Sequence, residues 1–399
     1  MRRDRAVAAG AGQQGPETRR TWRGLLRRLH LWTALVLCLP LVGLGLTGSL
    51  LVLRPELESV SGSALQASAG LPHAWSEIVA AAAAAAPSGS RPVMVMAPRT
   101  QNAPAMVRFA TRKHGPAVPG IQIGVDPATL AVLGSADAGS GFLGRVFMLH
   151  ANLLTSDRSG RQIVGWFGVA MLALGISGVV LWWPRRGSWR RAFTVRRGSR
   201  GRRLWRELHG AAGIWGVAVL LAVSFSGVCL AFPQSTAAGI GAVLPLHSPR
   251  ATPAVAPIAG AKPLDIDAAV AVALRSVENG RLRFASYPAH PDQPYRVGVT
   301  RADDRPGAPF VEVLVDPWQQ SAIAIRDPRN YSFGDSVLAW QHAIHAGSGL
   351  GIGWHIAVFA VGLLPAVLAA TGIAMWLSDP LRERRLAPLD RAALAGPAE

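Results

Sequence analysis

The chain is poor in cysteine and carries no motif of water-soluble catalysis. Only Cys38 and Cys229 occur in 399 residues, both inside apolar runs. Neither a disulfide framework in an aqueous domain nor a Cys-x-x-Cys-His attachment can therefore form. There is no phosphate loop, no G-x-G-x-x-G after a strand and no His-Glu-x-x-His zinc spacing. Charge of one sign is also missing locally: Pro184 to Arg206 holds ten arginines and no acid.

What the chain has instead is long apolar runs. Half its residues are hydrophobic and its mean hydropathy is +0.26, too apolar for an ordinary soluble enzyme. Leu26 to Leu53 and Leu204 to Phe232 resemble each other. In each, a histidine (His30, His209) precedes a glycine (Gly48, Gly227) by 18 residues, and Thr47 or Ser226 stands just before that glycine. Runs of about 24 residues rise ~36 Å as helix, enough to cross a ~30 Å hydrocarbon core. Ile163 to Trp183 and Ile352 to Leu377 carry the same notch, at Ser177-Gly178 and Thr371-Gly372. Four spans in two similar halves are expected, with no Asp, Glu, Lys or Arg in their cores.

A net charge of +18 would point a soluble protein towards nucleic acid, but here the arginines flank the spans and set topology, so no nucleic-acid partner is expected. The predicted order is a basic cytoplasmic tail (1–28), transmembrane helix 1 (29–53), a first outside module (54–162), helix 2 (163–183), a cytoplasmic Arg-rich loop (184–207), helix 3 (208–232), a second outside module (233–351), helix 4 (352–377) and a cytoplasmic tail (378–399) with Arg382, Arg384 and Arg385. Thr18-Arg19-Arg20 before an apolar run has the look of an export signal. The run is too long for a cleaved signal and lacks an A-x-A site, so it is read as a span.

Each outside module reads as a helix followed by strands. His73 to Ala86 is alanine-rich up to Pro87, and Arg91 to Ala97, Ala105 to Ala110 and Ile121 to Val125 follow as strands, ending at Asp126-Pro127. The second module repeats this: a helix at Ile266 to Val277, then strands at Arg281 to Tyr287, Tyr295 to Thr300 and Phe310 to Val315, ending at Asp316-Pro317. The fold class is thus an α-helical membrane protein bearing two α+β modules.

Between each module and its following span lies an amphipathic piece with histidine. Phe142 to Leu154 places Leu143, Val146, Phe147, His150 and Leu154 on one face. In Ser336 to Ala346, Leu338, His342 and His345 recur at spacings of four and three, which predicts one face for both histidines. His150 precedes Gly178 by 28 residues and His345 precedes Gly372 by 27, so His345 is the repeat partner and His342 an addition.

Four repeat-related histidines then form two layers, His30 with His209 and His150 with His345. Paired imidazoles from facing helices are one way to hold b-type haem iron at both axial positions. Arg27, Arg28 and Arg206 stand beside the inner layer, where propionates need partners. His342 is a further candidate, as ligand, outer donor or substrate contact, and His355 is an alternative to His345. The notches at Gly48, Gly178, Gly227 and Gly372 fit close helix packing as well as a porphyrin. His73, His114, His247 and His290 read as surface residues; Trp182, Trp183 and Trp376 read as interfacial anchors.

The stretches RRLHLWTALVLCLPLVGLGLTGSLL, LHANLL with IVGWFGVAMLALGISGVVLWWPRR, RELHGAAGIWG with FSGV, and HAIHAG to TGIAMWL resemble the PepSY-associated transmembrane family, including iron-regulated membrane proteins and ferric-siderophore reductases. The module endings VDPATLAVLG and VDPWQQSAIA look like PepSY domains. The resemblance implies two haem b groups, held at His30, His150, His209 and His345, in a bacterial inner-membrane protein that reduces a ferric siderophore or other ferric chelate on the periplasmic face. Cytoplasmic segments of at most 28 residues are too short for a flavin or nicotinamide domain, so quinol or a separate reductase would be the donor. Two other readings stand beside this: a haem-free regulatory or scaffold protein that binds a peptide or partner, and a transporter, which the uncharged span cores disfavour.

Overall fold

The computed structural model describes residues 22–60, 65–110, 120–137, 139–184, 187–247 and 251–378. The Arg19-Arg20 pair, His114, Arg185, Arg186 and the arginines after residue 378 lie outside the described residues.

Four helices are long and apolar enough to span a membrane: α1 (Trp22–Val52), α5 (Ser159–Trp182), α7 (Gly201–Ala231) and α12 (Ile352–Leu377). Their outward side chains are bare, Leu39 being 80 % and Val36 71 % exposed, as lipid-facing residues must be. The chain is a membrane protein. The four spans form a ring in which α1 meets α5 and α12, and α7 meets α5 and α12. Small residues allow the closest crossings. Gly45 of α1 faces Gly362 of α12, and Ser49 Oγ donates to the Phe359 carbonyl at 2.8 Å.

Shorter helices link the spans to the rest. After α2 (Arg54–Val60) comes α3 (Trp75–Ala84), and α4 (Gly141–Asn152) leads into α5. The short α6 (Trp189–Ala192) lies on the Arg-rich side, where Trp182 and Trp215 donate to the Ala192 and Phe193 carbonyls. Helix α8 (Pro233–Gly241) follows α7, and α9 (Ile266–Arg275) opens the second unit. Two pieces, α10 (Phe333–Ala339) and α11 (Gln341–His345), precede α12.

The two units each contribute four strands, one more than expected: β1 (Arg91–Met96), β2 (Ala105–Ala110), β3 (Ile121–Val125) and β4 (Val132–Asp137), then β5 (Gly280–Ser286), β6 (Tyr295–Arg301), β7 (Val311–Asp316) and β8 (Ser321–Arg326). They do not stay apart. β1 pairs antiparallel with β5 to give one eight-stranded sheet, ordered β4-β3-β2-β1-β5-β6-β7-β8. Helices α3 and α9 cover one face, and a single core runs across the seam through Ile78, Val95, Phe109, Ala285, Val297 and Val313. The units are also stitched by charge: Asp267, in the first turn of α9, accepts from the Trp75 and Ser76 backbone at the start of α3 (2.6 and 3.1 Å).

Both Asp-Pro endings are tight turns. Asp126 accepts from the Ala128 and Thr129 amides and Asp316 from those of Trp318 and Gln319. Each turn passes through a left-handed residue, Leu130 (φ 60°) and Gln320 (φ 57°), so the duplication extends to backbone detail.

Candidate functional site

Each of the four Ser/Thr-Gly notches seats one imidazole. His30 Nδ1 on α1 lies 2.8 Å from Ser177 Oγ on α5, and His209 Nδ1 on α7 lies 3.0 Å from Thr371 Oγ1 on α12. At the other end of the spans, His150 Nδ1 on α4 lies 3.0 Å from Thr47 Oγ1 on α1, and His345 Nδ1 on α11 lies 3.2 Å from Ser226 Oγ on α7. The notch on a span therefore serves a histidine from another helix of the same half, not the one on its own helix.

The hydroxyls fix the imidazole tautomer. Thr47, Ser177, Ser226 and Thr371 each donate their own proton to a carbonyl one turn back, of Gly43, Leu174, Val223 and Val367 respectively (2.7 to 3.1 Å). With that proton committed, the oxygen can only accept, so the histidine donates from Nδ1. His345 makes this explicit, since its Nδ1 also lies 3.0 Å from the Val223 carbonyl, which cannot donate. In the neutral ring Nε2 then carries the free lone pair, which is the arrangement a metal-binding histidine requires.

The glycines supply the room. A Cβ at residue 48 would stand 3.1 Å from His150 Cε1 and one at residue 227 would stand 3.0 Å from His345 Cε1, while residues 178 and 372 would come no closer than 3.6 Å to His30 and His209. Each ring thus lies against backbone, tightly at residues 48 and 227, where an added methyl would press on it, and in ordinary contact at residues 178 and 372.

The halves meet at the histidines. The His150 and His345 rings, one from each half, stand 6.0 Å apart between centroids at 48°. Two imidazoles that share one first-row metal, each nitrogen at ~2 Å, would stand roughly 6 Å apart by the same measure, so His150 and His345 are spaced to hold one metal ion between them. His30 and His209 line a common cavity of about 820 Å³ between α1, α5, α7 and α12, a volume suited to a large cofactor. Trp182 and Trp376 line it too, with Arg27, Arg28, Arg202, Arg203 and Arg206 among its walls. Among the described residues no three His, Cys, Asp or Glu side chains converge on one point, so the arrangement is one of pairs.

Other candidates fall away from these pairs. His342 and His345 fall on one short helix, α11, but only His345 reaches a notch, at Ser226 of α7, while His342 is exposed. His355 instead places Nε2 3.4 Å from Glu56 Oε1 and Nδ1 3.3 Å from the Gly347 carbonyl. His73 pairs with Glu77 on the surface. The sequence reading treated the notches as packing or porphyrin clearance and missed their hydroxyls as imidazole acceptors. The signal was present, because all four glycines follow a Ser or Thr.

A comparison with curated proteins gives no match. The family model of the PepSY-associated TM region matches residues 27–378, which takes in all four spans, the sheet and every histidine of the two layers. The chain therefore belongs to the family of the PepSY-associated transmembrane region.

Proposed function

We propose that the chain is a dihaem b-type cytochrome of the bacterial inner membrane that passes electrons outward to a ferric chelate such as a ferric siderophore. The observation that carries this reading is the pair of cross-half imidazole couples, each ring locked by a Ser/Thr oxygen with Nε2 left free. When bound, haem b supplies a one-electron couple at each layer. His30 and His209 would hold the inner group, His150 and His345 the outer one. Arg27, Arg28 and Arg206 at the inner cavity suit propionates through charge-assisted hydrogen bonds.

Arginine-rich segments favour the cytoplasmic face, which supports a cytoplasmic inner layer beside the loop between α5 and α7 and a periplasmic sheet, read as two fused PepSY modules. That loop is too short to fold a nicotinamide or flavin domain, so quinol or a separate reductase is the donor.

The test is an absorption spectrum of the detergent-purified chain, oxidised and dithionite-reduced, with pyridine-haemochrome quantitation for wild type and His209→Ala. Two haems per chain, falling to one in the variant, are expected. A chain without a Soret band after haem-replete expression would overturn the reading and leave a scaffold role.

A further inference from the structure

The sheet has a second face. Val95, Val107 and Ala285 are fully buried in the core. Their strand neighbours Met94, Met96, Met106, Arg108 and Phe284 must point the opposite way. At the centre of that face the register of β5 slips between Leu282 and Phe284, which frees Arg283 from regular pairing. Its guanidinium lies 4.7 Å over the Phe310 ring, and Phe310 stands edge-on to Phe284 at 5.3 Å. The Ala97 amide, two residues before Arg99, donates to the Arg283 carbonyl at 3.0 Å, which brings Arg99 to the same place, and His342 is near enough for the Arg283 charge to weigh on it.

This cationic cluster lacks counter-charges. Among the described residues, the ion pairs of the sheet join Arg296 and Arg326 to Glu312, Arg301 to Asp327 and Arg329 to Asp303, and none involves Arg99, Arg108 or Arg283. The Arg108 Nε is buried without a partner. Burial disfavours the charge on the half-buried Arg108, and a desolvated guanidinium without a carboxylate is costly unless an anion completes it, while Arg99 and Arg283 stand exposed to an incoming anion. His342 belongs to α11, three residues before His345, so the cluster borders the outer histidine pair.

We propose that the face formed by Arg99, Arg283 and His342, edged by Phe284 and Phe310, is the docking site of the electron acceptor and selects ferric chelates of net negative charge, carboxylate-bearing ones above all. The proposal rests on the cytochrome reading for its purpose, but its binding test does not. The aromatic edges suit the organic shell of a chelate, and the guanidinium groups suit its carboxylates.

The experiment titrates gallium(III) citrate, which accepts no electron, and a cationic gallium trishydroxamate onto the full chain in phosphatidylcholine nanodiscs, followed by calorimetry. Saturable, salt-sensitive binding of the citrate complex is expected, weakened about tenfold or more by Arg283→Glu and by the exposed Arg99→Glu, with the cationic complex binding weakly. Equal binding of both complexes, no binding of the citrate complex, or affinity unchanged in both variants would overturn the proposal. So would citrate binding that phosphatidylglycerol in the disc abolishes for wild type and not for Arg283→Glu, which would mark a lipid-headgroup site. Loss of the Soret band is a separate failure, of the cytochrome reading alone, and leaves the titration readable.

Discussion

Gly227 lies so close beneath His345 that a methyl group on residue 227 would come within 3.0 Å of the imidazole Cε1. Gly48 stands in the same relation to His150, at 3.1 Å, whereas Gly178 and Gly372 leave 3.6 Å to their histidines. This gradation separates the two layers experimentally. If the layers hold haem as proposed, Gly227→Ala and Gly48→Ala should displace the outer imidazoles and lower haem content towards one per chain. Gly178→Ala and Gly372→Ala should keep both haems. Haem per chain by pyridine haemochrome checks it, and equal losses in all four would refute the graded clearance.

The notch hydroxyls act on the same rings through hydrogen bonds. Removing the acceptor in Thr47→Val, Ser177→Ala or Thr371→Val unlocks the tautomer and orientation, and outer partners of this kind are typically worth about 10- to 100-fold in affinity. Ser226→Ala should be the mildest, because the Val223 carbonyl still accepts from His345. Haem retention during transfer to an excess of apo-globin would rank the variants. A shift of midpoint potential in the variants that keep haem distinguishes an altered ligand from a merely loosened fold.

Asp126 offers a pH test away from the spans. The Ser68 amide foremost, with those of Ala128 and Thr129, holds its carboxyl down at about 2 against an ordinary value of ~3.9. Because the folded value is the lower one, the stabilisation is fully present above about pH 4 and is lost as pH falls towards 2. Relative to Asp126→Asn, wild type should keep a constant advantage in thermal unfolding between pH 5 and 7 that shrinks below pH 4. An advantage independent of pH down to 2 would show that the charge contributes nothing.

The seam between the units predicts cooperative unfolding. Asp267 caps a helix of the other unit and Val95 is fully buried beside the β1–β5 junction. Asp267→Ala should cost about 1 kcal/mol and Val95→Ala about 2 kcal/mol. In each variant both units should still melt in one transition in urea, monitored by circular dichroism. Two separated transitions would mean that the units fold independently.

The spans, the duplication and the four histidines were all legible in the sequence because each is written as a local pattern: apolar length, an 18-residue spacing, a repeated Ser/Thr-Gly. The pairing of notch with histidine was not, since Gly48 is near His30 in sequence and seats His150 in space. The edge strands β4 and β8 were also illegible; Val132–Asp137 and Ser321–Arg326 are short and rich in small residues, and neither holds a fully buried side chain, which weakens the strand signal. Fusion of the two sheets depends on Val95 meeting Ala285, a contact between segments about 190 residues apart that no periodicity reports. His342 and His345 share the short helix α11, and that only His345 reaches the notch on α7 depends on how α11 sits in the fold, which a spacing of three does not report.

Helix α1 carries His30 of one layer and, 17 residues on, Thr47 that seats the other layer's His150; α7 does the same with His209 and Ser226. Two continuous helices thus serve as rulers, and at ~1.5 Å per residue the gap between the layers is set by peptide geometry. No docking of domains or closing of a lid can shorten it. If the layers hold haem as proposed, their separation would be fixed by the spans, and tuning of electron flow would fall to the residues that touch the imidazoles.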